Sequence, residues 1–114
     1  MEKYTYNGDD FKAVLTTDGW KIGLLKKSER FSSLCVWERH LKTDEVFVLL
    51  SGKATLYIKK EDESIEETEM EYSTVYNVPA CEWHHIVVSE DATVMVVENS
   101  DTSKENTEKV TIDK

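Results

Sequence analysis

Alternation of apolar and polar side chains, repeated segment after segment, most constrains how this chain folds. It recurs in Lys21 to Lys26, Phe31 to His40, Val46 to Leu50, Lys53 to Lys59, Thr74 to Val78, Trp83 to Val88 and Thr93 to Glu98. Short runs of this kind, rich in Val, Ile, Tyr, Phe and Trp, read as β-strands. No long stretch carries the period of an amphipathic helix, and the most helix-like residues, Asp9 to Thr16, are expected to form one short turn. Turn signals at Gly52, Glu61 to Ser64 and Ser89 to Asp91 space the strands as in an antiparallel all-β barrel or sandwich.

The chain has 114 residues, 39% of them hydrophobic, which suits one small domain with one core and is too short for two. The core is expected over about 20–98, with 99–114 as a polar tail. Within that tail Val110-Thr111-Ile112 has the composition of an edge strand, added in cis or to a second copy. A strand such as Thr107 to Asp113 exchanging between copies would make a homodimer. There is no apolar run of about eighteen residues and no basic-then-apolar leader at Met1-Glu2-Lys3-Tyr4, so the default expectation is a cytoplasmic protein without a membrane partner. Cys35 and Cys81 are too few for a disulfide framework and read as reduced, with Cys81 expected to be a small buried hydrophobe. A net charge of −9 argues against nucleic acid and anionic membrane surfaces, which need clustered Lys and Arg.

Two segments carry candidate chemistry. In the first, Glu38-Arg39-His40 is followed by Glu45 and Gly52; in the second, Pro79-Ala80-Cys81-Glu82-Trp83 leads into His84. On a strand Glu38 and His40 share one face while Trp37 and Arg39 share the other, so Glu38 and His40 can converge on one point. The polar Lys42-Thr43-Asp44 is a turn, after which Glu45 opens a hydrophobic strand. Gly52 permits the tight turn that follows, and Pro79 ends one strand before the next places His84. Imidazole and carboxylate are both ligands for first-row divalent metals. The same residues also suit a plainer reading, with His40 and Glu45 as surface residues flanking a turn.

These two segments resemble the paired motifs of the cupin superfamily over roughly residues 31 to 90. The first family motif runs glycine, five residues, His, one residue, His, three or four residues, Glu, six residues, glycine. Its positions fall here on Phe31 or Ser32, Glu38, His40, Glu45 and Gly52. The second motif runs glycine, five residues, Pro, one residue, glycine, two residues, His, three residues, Asn, and falls on Ser73, Pro79, Cys81, His84 and Val88.

The resemblance implies a double-stranded β-helix, the cupin or jelly-roll barrel, with a divalent ion held by Glu38, His40, Glu45 and His84 in its mouth. Glu38 in place of a His makes the set more anionic and harder, which moves preference toward Mn, Fe or Mg; Ni and Zn complete the candidate range. Motif spacing selects His84 over His85, which should face the other way unless a bulge swaps them. Ser73 and Cys81 at glycine positions suggest turns that do not strictly need a positive φ. Cupins include dioxygenases, isomerases, epimerases and decarboxylases as well as proteins that only bind small molecules, so the implied function is binding or conversion of a small oxygen-rich molecule. The alternative is a non-catalytic or structural barrel.

Other residues have simpler readings. Glu61-Asp62-Glu63 with Glu66, Glu67, Glu69 and Glu71 lacks a calcium-loop pattern and reads as a solvated hairpin. Trp37, Trp83, Tyr57, Tyr76 and Phe47 are expected mainly as core, and Arg39 as the surface partner of a carboxylate.

Overall fold

A computed structural model describes residues 1–112; Asp113 and Lys114, and with them the end of the predicted exchanging strand, lie outside the described residues. The strands are β1 (Phe11–Thr16), β2 (Lys21–Leu25), β3 (Val36–His40), β4 (Glu45–Ser51) and β5 (Ala54–Lys59). They continue with β6 (Ile65–Glu69), β7 (Tyr76–Val78), β8 (Trp83–Val88), β9 (Thr93–Glu98) and β10 (Thr107–Thr111). Two antiparallel sheets result, ordered β1-β2-β9-β4-β7 and β10-β3-β8-β5-β6. This is the all-β double-stranded β-helix, built as two facing open sheets.

Strand alternation decides what enters the space between the sheets. Phe47 and Leu49 of β4, Leu56 and Ile58 of β5, Ile86 and Val88 of β8, and Val94 and Val96 of β9 form its apolar centre. Register sets Leu49 opposite Val94 and Phe47 opposite Val96, so one end of the sandwich is filled by aliphatic and aromatic side chains. Gly52, at φ +72°, makes the turn from β4 to β5, and a Cβ there would lie 2.6 Å from the Ala92 Cα. The β5–β6 hairpin carries the acidic run on an exposed strand, as its charge pattern predicts.

Several expectations change. Asp9 to Thr16 is no helical turn: Phe11–Thr16 pairs with β2, and Phe11 packs against the core. Phe31 to His40 is not one continuous strand. Glu29–Phe31 forms a 3₁₀ turn that buries Phe31, and β3 begins only at Val36. The residues read as a polar tail include a second 3₁₀ turn, Lys104–Asn106, and then β10, which pairs in cis with β3 from Thr107↔His40 to Thr111↔Val36. Both β1 and β10 therefore lie outside the core expected at about 20–98. Ser73 and Cys81 do adopt positive φ, at 58° and 69°, so the turns keep the glycine-like backbone without the glycine. Cys81 is exposed rather than buried, and both cysteines are free. Among the described residues no helix is long and apolar enough to cross a membrane.

Candidate metal centre

The end of the sandwich opposite Leu49 and Val94 is polar. Glu45 begins β4 directly opposite Glu98, the last residue of β9. Glu38 of β3 pairs with His84 of β8. The turn after β7 locks these pieces together: Asp44 accepts the Ala80 amide at 2.9 Å and the Asn77 side chain at 3.2 Å, and the Cys81 amide donates to the His40 carbonyl at 2.7 Å. Asp44 thereby ties the turn before Glu45 to the turn before His84, a role that Lys42-Thr43-Asp44 as a generic turn did not disclose.

Glu38, His40, Glu45 and His84 come together with one candidate ligand atom each, all within 4.8 Å of one another. His40 Nε2 is 3.1 Å and His84 Nε2 2.9 Å from the same oxygen, Glu45 Oε1, and Glu38 Oε1 is 3.4 Å from His40 Nε2. Each ring is pinned from behind. His84 Nδ1 donates to the Glu82 carbonyl at 3.0 Å, and His40 Nδ1 meets Thr107 Oγ1 at 2.8 Å. Phe47 packs its ring at an angle against His84, with centroids 5.9 Å apart.

A carbonyl can only accept, so the His84 proton resides on Nδ1 and Nε2 is left facing a carboxylate. Two lone pairs at 2.9 Å repel unless a cation lies between them, either a proton or a metal. Burial works against the charged forms of His40 and His84, but the Glu45 hydrogen bond and charge outweigh it and raise both imidazoles. Burial alone would likewise push Glu45 up, yet the two imidazole contacts hold its carboxyl well below the usual carboxylate range. The residues fit a divalent ion: two imidazoles and two carboxylates converge, with outward nitrogens already hydrogen-bonded as metal-ligating histidines require. Their spread is close to what one ion bonded at about 2.1 Å spans.

His85 does not join them. Its Nε2 lies 3.0 Å from the Ser33 carbonyl, its ring stacks on Phe31, and burial lowers its pKa. Arg39 faces outward, bonded to Glu108 at 2.7 Å and laid over the Trp83 ring at 4.4 Å. Trp83 lies beneath the guanidinium of Arg39 and the ammonium of Lys59; Trp37, also near the Lys59 ammonium, is buried as expected, and Phe47 packs against His84 of the cluster.

A cavity of about 450 Å³ opens onto the cluster. Its walls include Phe11, Leu25, Phe31, Ile86 and Val96, together with Thr102, Ser103, Lys104, Thr107 and Lys109. Two participants escaped the sequence reading. Glu98 is buried beside the cluster; desolvation first, then the charge of Glu45, push its carboxyl up to about 7, against a Lys21 ammonium 3.7 Å away. Its signal was present, since Glu98 follows Val94 and Val96 on the buried side of the same alternation. The other is Thr107, which supplies the pin behind His40.

No protein-family model matches the chain, and no curated protein matches it in sequence. Solved structures do resemble it. A cupin-2 domain containing protein from Shewanella frigidimarina superposes with a TM-score of 0.64 at 19% identity, over 82% of this chain and 84% of that one. A Streptomyces protein, PAC13, solved with uridine, gives a TM-score of 0.69 at 11% identity, covering 96% and 91% of the two chains. Oxalate decarboxylase from Bacillus subtilis gives 0.64 at 13% identity; 82% of this chain matches, but it spans only 25% of that larger protein. At such identities the likeness concerns architecture, and it agrees with the two facing sheets and their order. The chain has the cupin fold.

Proposed function

We propose that this chain is a metal-binding cupin domain that holds one divalent ion through Glu38, His40, Glu45 and His84 and takes a small oxygen-rich molecule in the cavity beside it. One observation carries the reading: two imidazole Nε2 atoms each lie within 3.1 Å of the same carboxylate oxygen, with both Nδ1 atoms occupied elsewhere. The anionic, oxygen-rich set favours Mn or Fe, with Ni and Zn as further candidates. Such an ion acts as a Lewis acid toward a carbonyl or enolate oxygen, or supports oxygen chemistry when it is iron. The chain's own residues orient the imidazoles, through Glu82 and Thr107, and exclude water from one side with Phe47 and Val96. The reaction class stays open among dioxygenase, isomerase or epimerase, and decarboxylase chemistry. The named neighbours, an oxalate decarboxylase and a protein carrying uridine, support an oxygen-rich ligand without choosing one.

The test is elemental mass spectrometry of untagged protein purified without chelator, beside His40→Ala and His84→Ala. Near-stoichiometric metal, lost in both variants, is the expected result. No uptake after reconstitution with Mn, Fe, Ni and Zn would sink the metal centre and favour the second reading, a barrel that binds a small molecule without turnover. A single domain, a cytoplasmic setting and a homodimer belong to the same proposal, as does the lack of a nucleic-acid or anionic-membrane partner, which the net charge of −9 supports; sedimentation velocity tests the dimer.

A further inference from the structure

The cavity is asymmetric in charge. In a chain of net charge −9, Thr102, Ser103, Lys104, Thr107 and Lys109 form part of its wall, Glu105 and Glu108 of the same segment do not, and Arg30 lies at its rim. Arg30 is already neutralised, since both ends of its guanidinium bond Asp10 at 2.7 and 2.8 Å and it lies flat over Phe31. Lys21 faces Glu98. A divalent ion would balance Glu38 and Glu45. Lys104 makes no salt bridge among the described residues. Lys109 stands 3.6 Å from Glu38 Oε2, the oxygen turned away from His40, and an ammonium with three donors keeps capacity after that contact.

This wall is built rather than loose. Buried Asn106 closes a capping box with Ser103 and donates to the Asp101 carbonyl at 2.8 Å, while its own carbonyl accepts the Leu41 amide at 2.8 Å. Buried Thr102 is held by Thr43 Oγ1 and by Lys21 Nζ, each at 2.8 Å. Lys104 is therefore carried on a held turn and Lys109 on the adjoining edge strand β10, beside a cavity whose remaining lining combines apolar Phe11, Phe31 and Ile86 with the His and Glu cluster and Glu98.

We infer that Lys104 and Lys109 select a small organic anion, with a carboxylate or phosphate group on the lysine wall and an apolar or aromatic body against Phe11, Phe31 and Ile86. The inference deepens the proposed function and rests on its reading of this cavity as the ligand site. Charge-assisted hydrogen bonds to ammonium groups are stronger than neutral ones.

Isothermal titration calorimetry on the full chain, manganese-loaded and metal-free, tests it with benzoate, phenyl phosphate and neutral benzamide. Both anions should bind, with benzamide roughly tenfold weaker. Lys104→Gln should weaken the anions several-fold and Lys104→Arg should restore them, while Lys104→Gln combined with Lys109→Gln should cost roughly tenfold and leave benzamide unchanged. Benzamide binding as tightly as benzoate, anion binding indifferent to both lysines, or no anion bound at millimolar concentration would each overturn the inference. A protein that takes up no metal yet binds anions with the same lysine dependence removes the metal centre and leaves the lysine wall standing. Metal uptake without any charge preference does the reverse.

Discussion

The two ends of the sandwich are made by the same strands and differ only in which residues the alternation delivers inward. Along β4 the inward row reads Glu45, Phe47, Leu49; along β9, in register, Glu98, Val96, Val94; along β8, His84, Ile86, Val88. One end is therefore a close-packed apolar plug and the other a polar cluster, and the chemistry changes over a single step of each strand. Among the described residues no buried side-chain nitrogen or oxygen lacks a partner, so the polar end holds itself by mutual hydrogen bonds where the apolar end holds by packing. The comparison separates two jobs: stability rests on the plug, and ligand chemistry is confined to the mouth.

The sharpest way to break that separation is a pair of reciprocal substitutions. Leu49→Ala at the plug should cost about 2–5 kcal/mol in urea denaturation while metal stoichiometry holds. Glu38→Gln at the mouth should leave the midpoint within about 0.5 kcal/mol and weaken metal uptake. If Leu49→Ala lost metal as readily as stability, the two ends would be one cooperative site and the division would fail. Gly52→Ala tests the plug's edge, where a positive φ and the Ala92 backbone both resist a Cβ; a loss of about 1–3 kcal/mol is expected.

The mouth should dominate the pH response, because Glu45 and Glu98 carry the largest carboxylate shifts, while Asp10 and His85, both lowered, add smaller opposing changes. Folding raises the proton affinity of His40, His84 and Glu98, so the metal-free protein binds more protons folded than unfolded. Its stability should then fall as pH rises: from the ordinary carboxylate value of 4.5 to about 7 through Glu98, and above 6.5 through the imidazoles. Glu45, shifted the other way, removes stability below 4.5. Thermal melts of metal-free protein should peak in weak acid. Saturating metal, which binds the deprotonated imidazoles, should flatten the alkaline limb, and a pH-independent melt would contradict the placement of these groups. The smallest effect is at the two turns with glycine-like backbone: Cys81→Gly or Ser73→Gly should gain about 0.5–1 kcal/mol by relieving a positive φ.

Much of the plug could be read from the chain, because Val46 to Leu50 and Thr93 to Glu98 keep strict alternation and fix which side chains point inward. The juxtaposition of Glu38 with His40 also followed from strand parity. What escaped depended on long-range pairing. Phe11–Thr16 carries weak alternation and becomes a strand only because β2 is there to bond it. Thr107 to Thr111 looks polar because β10 is an edge with most of its side chains in solvent. The positive φ at Ser73 and Cys81 is not legible locally because neither residue type demands it; the turn geometry imposes it from the flanking strands. Asp44, the clasp between both motif segments, has no local signature at all, since its partners lie more than thirty positions away.

The strand β10 has a consequence in time as well as in space. It is bonded to β3 alone, most of its residues are exposed, and such edges open locally at a small fraction of the global unfolding free energy. Yet Thr107, its first residue, holds His40 through Nδ1, and Lys109 sits beside Glu38. Each fraying event would widen the doorway to the cavity and, in the same motion, slacken two of the four candidate ligands. If the cluster holds an ion as proposed, entry of a ligand and grip on that ion are coupled by one strand, so the rate of ligand exchange and the lifetime of the ion should rise and fall in opposition.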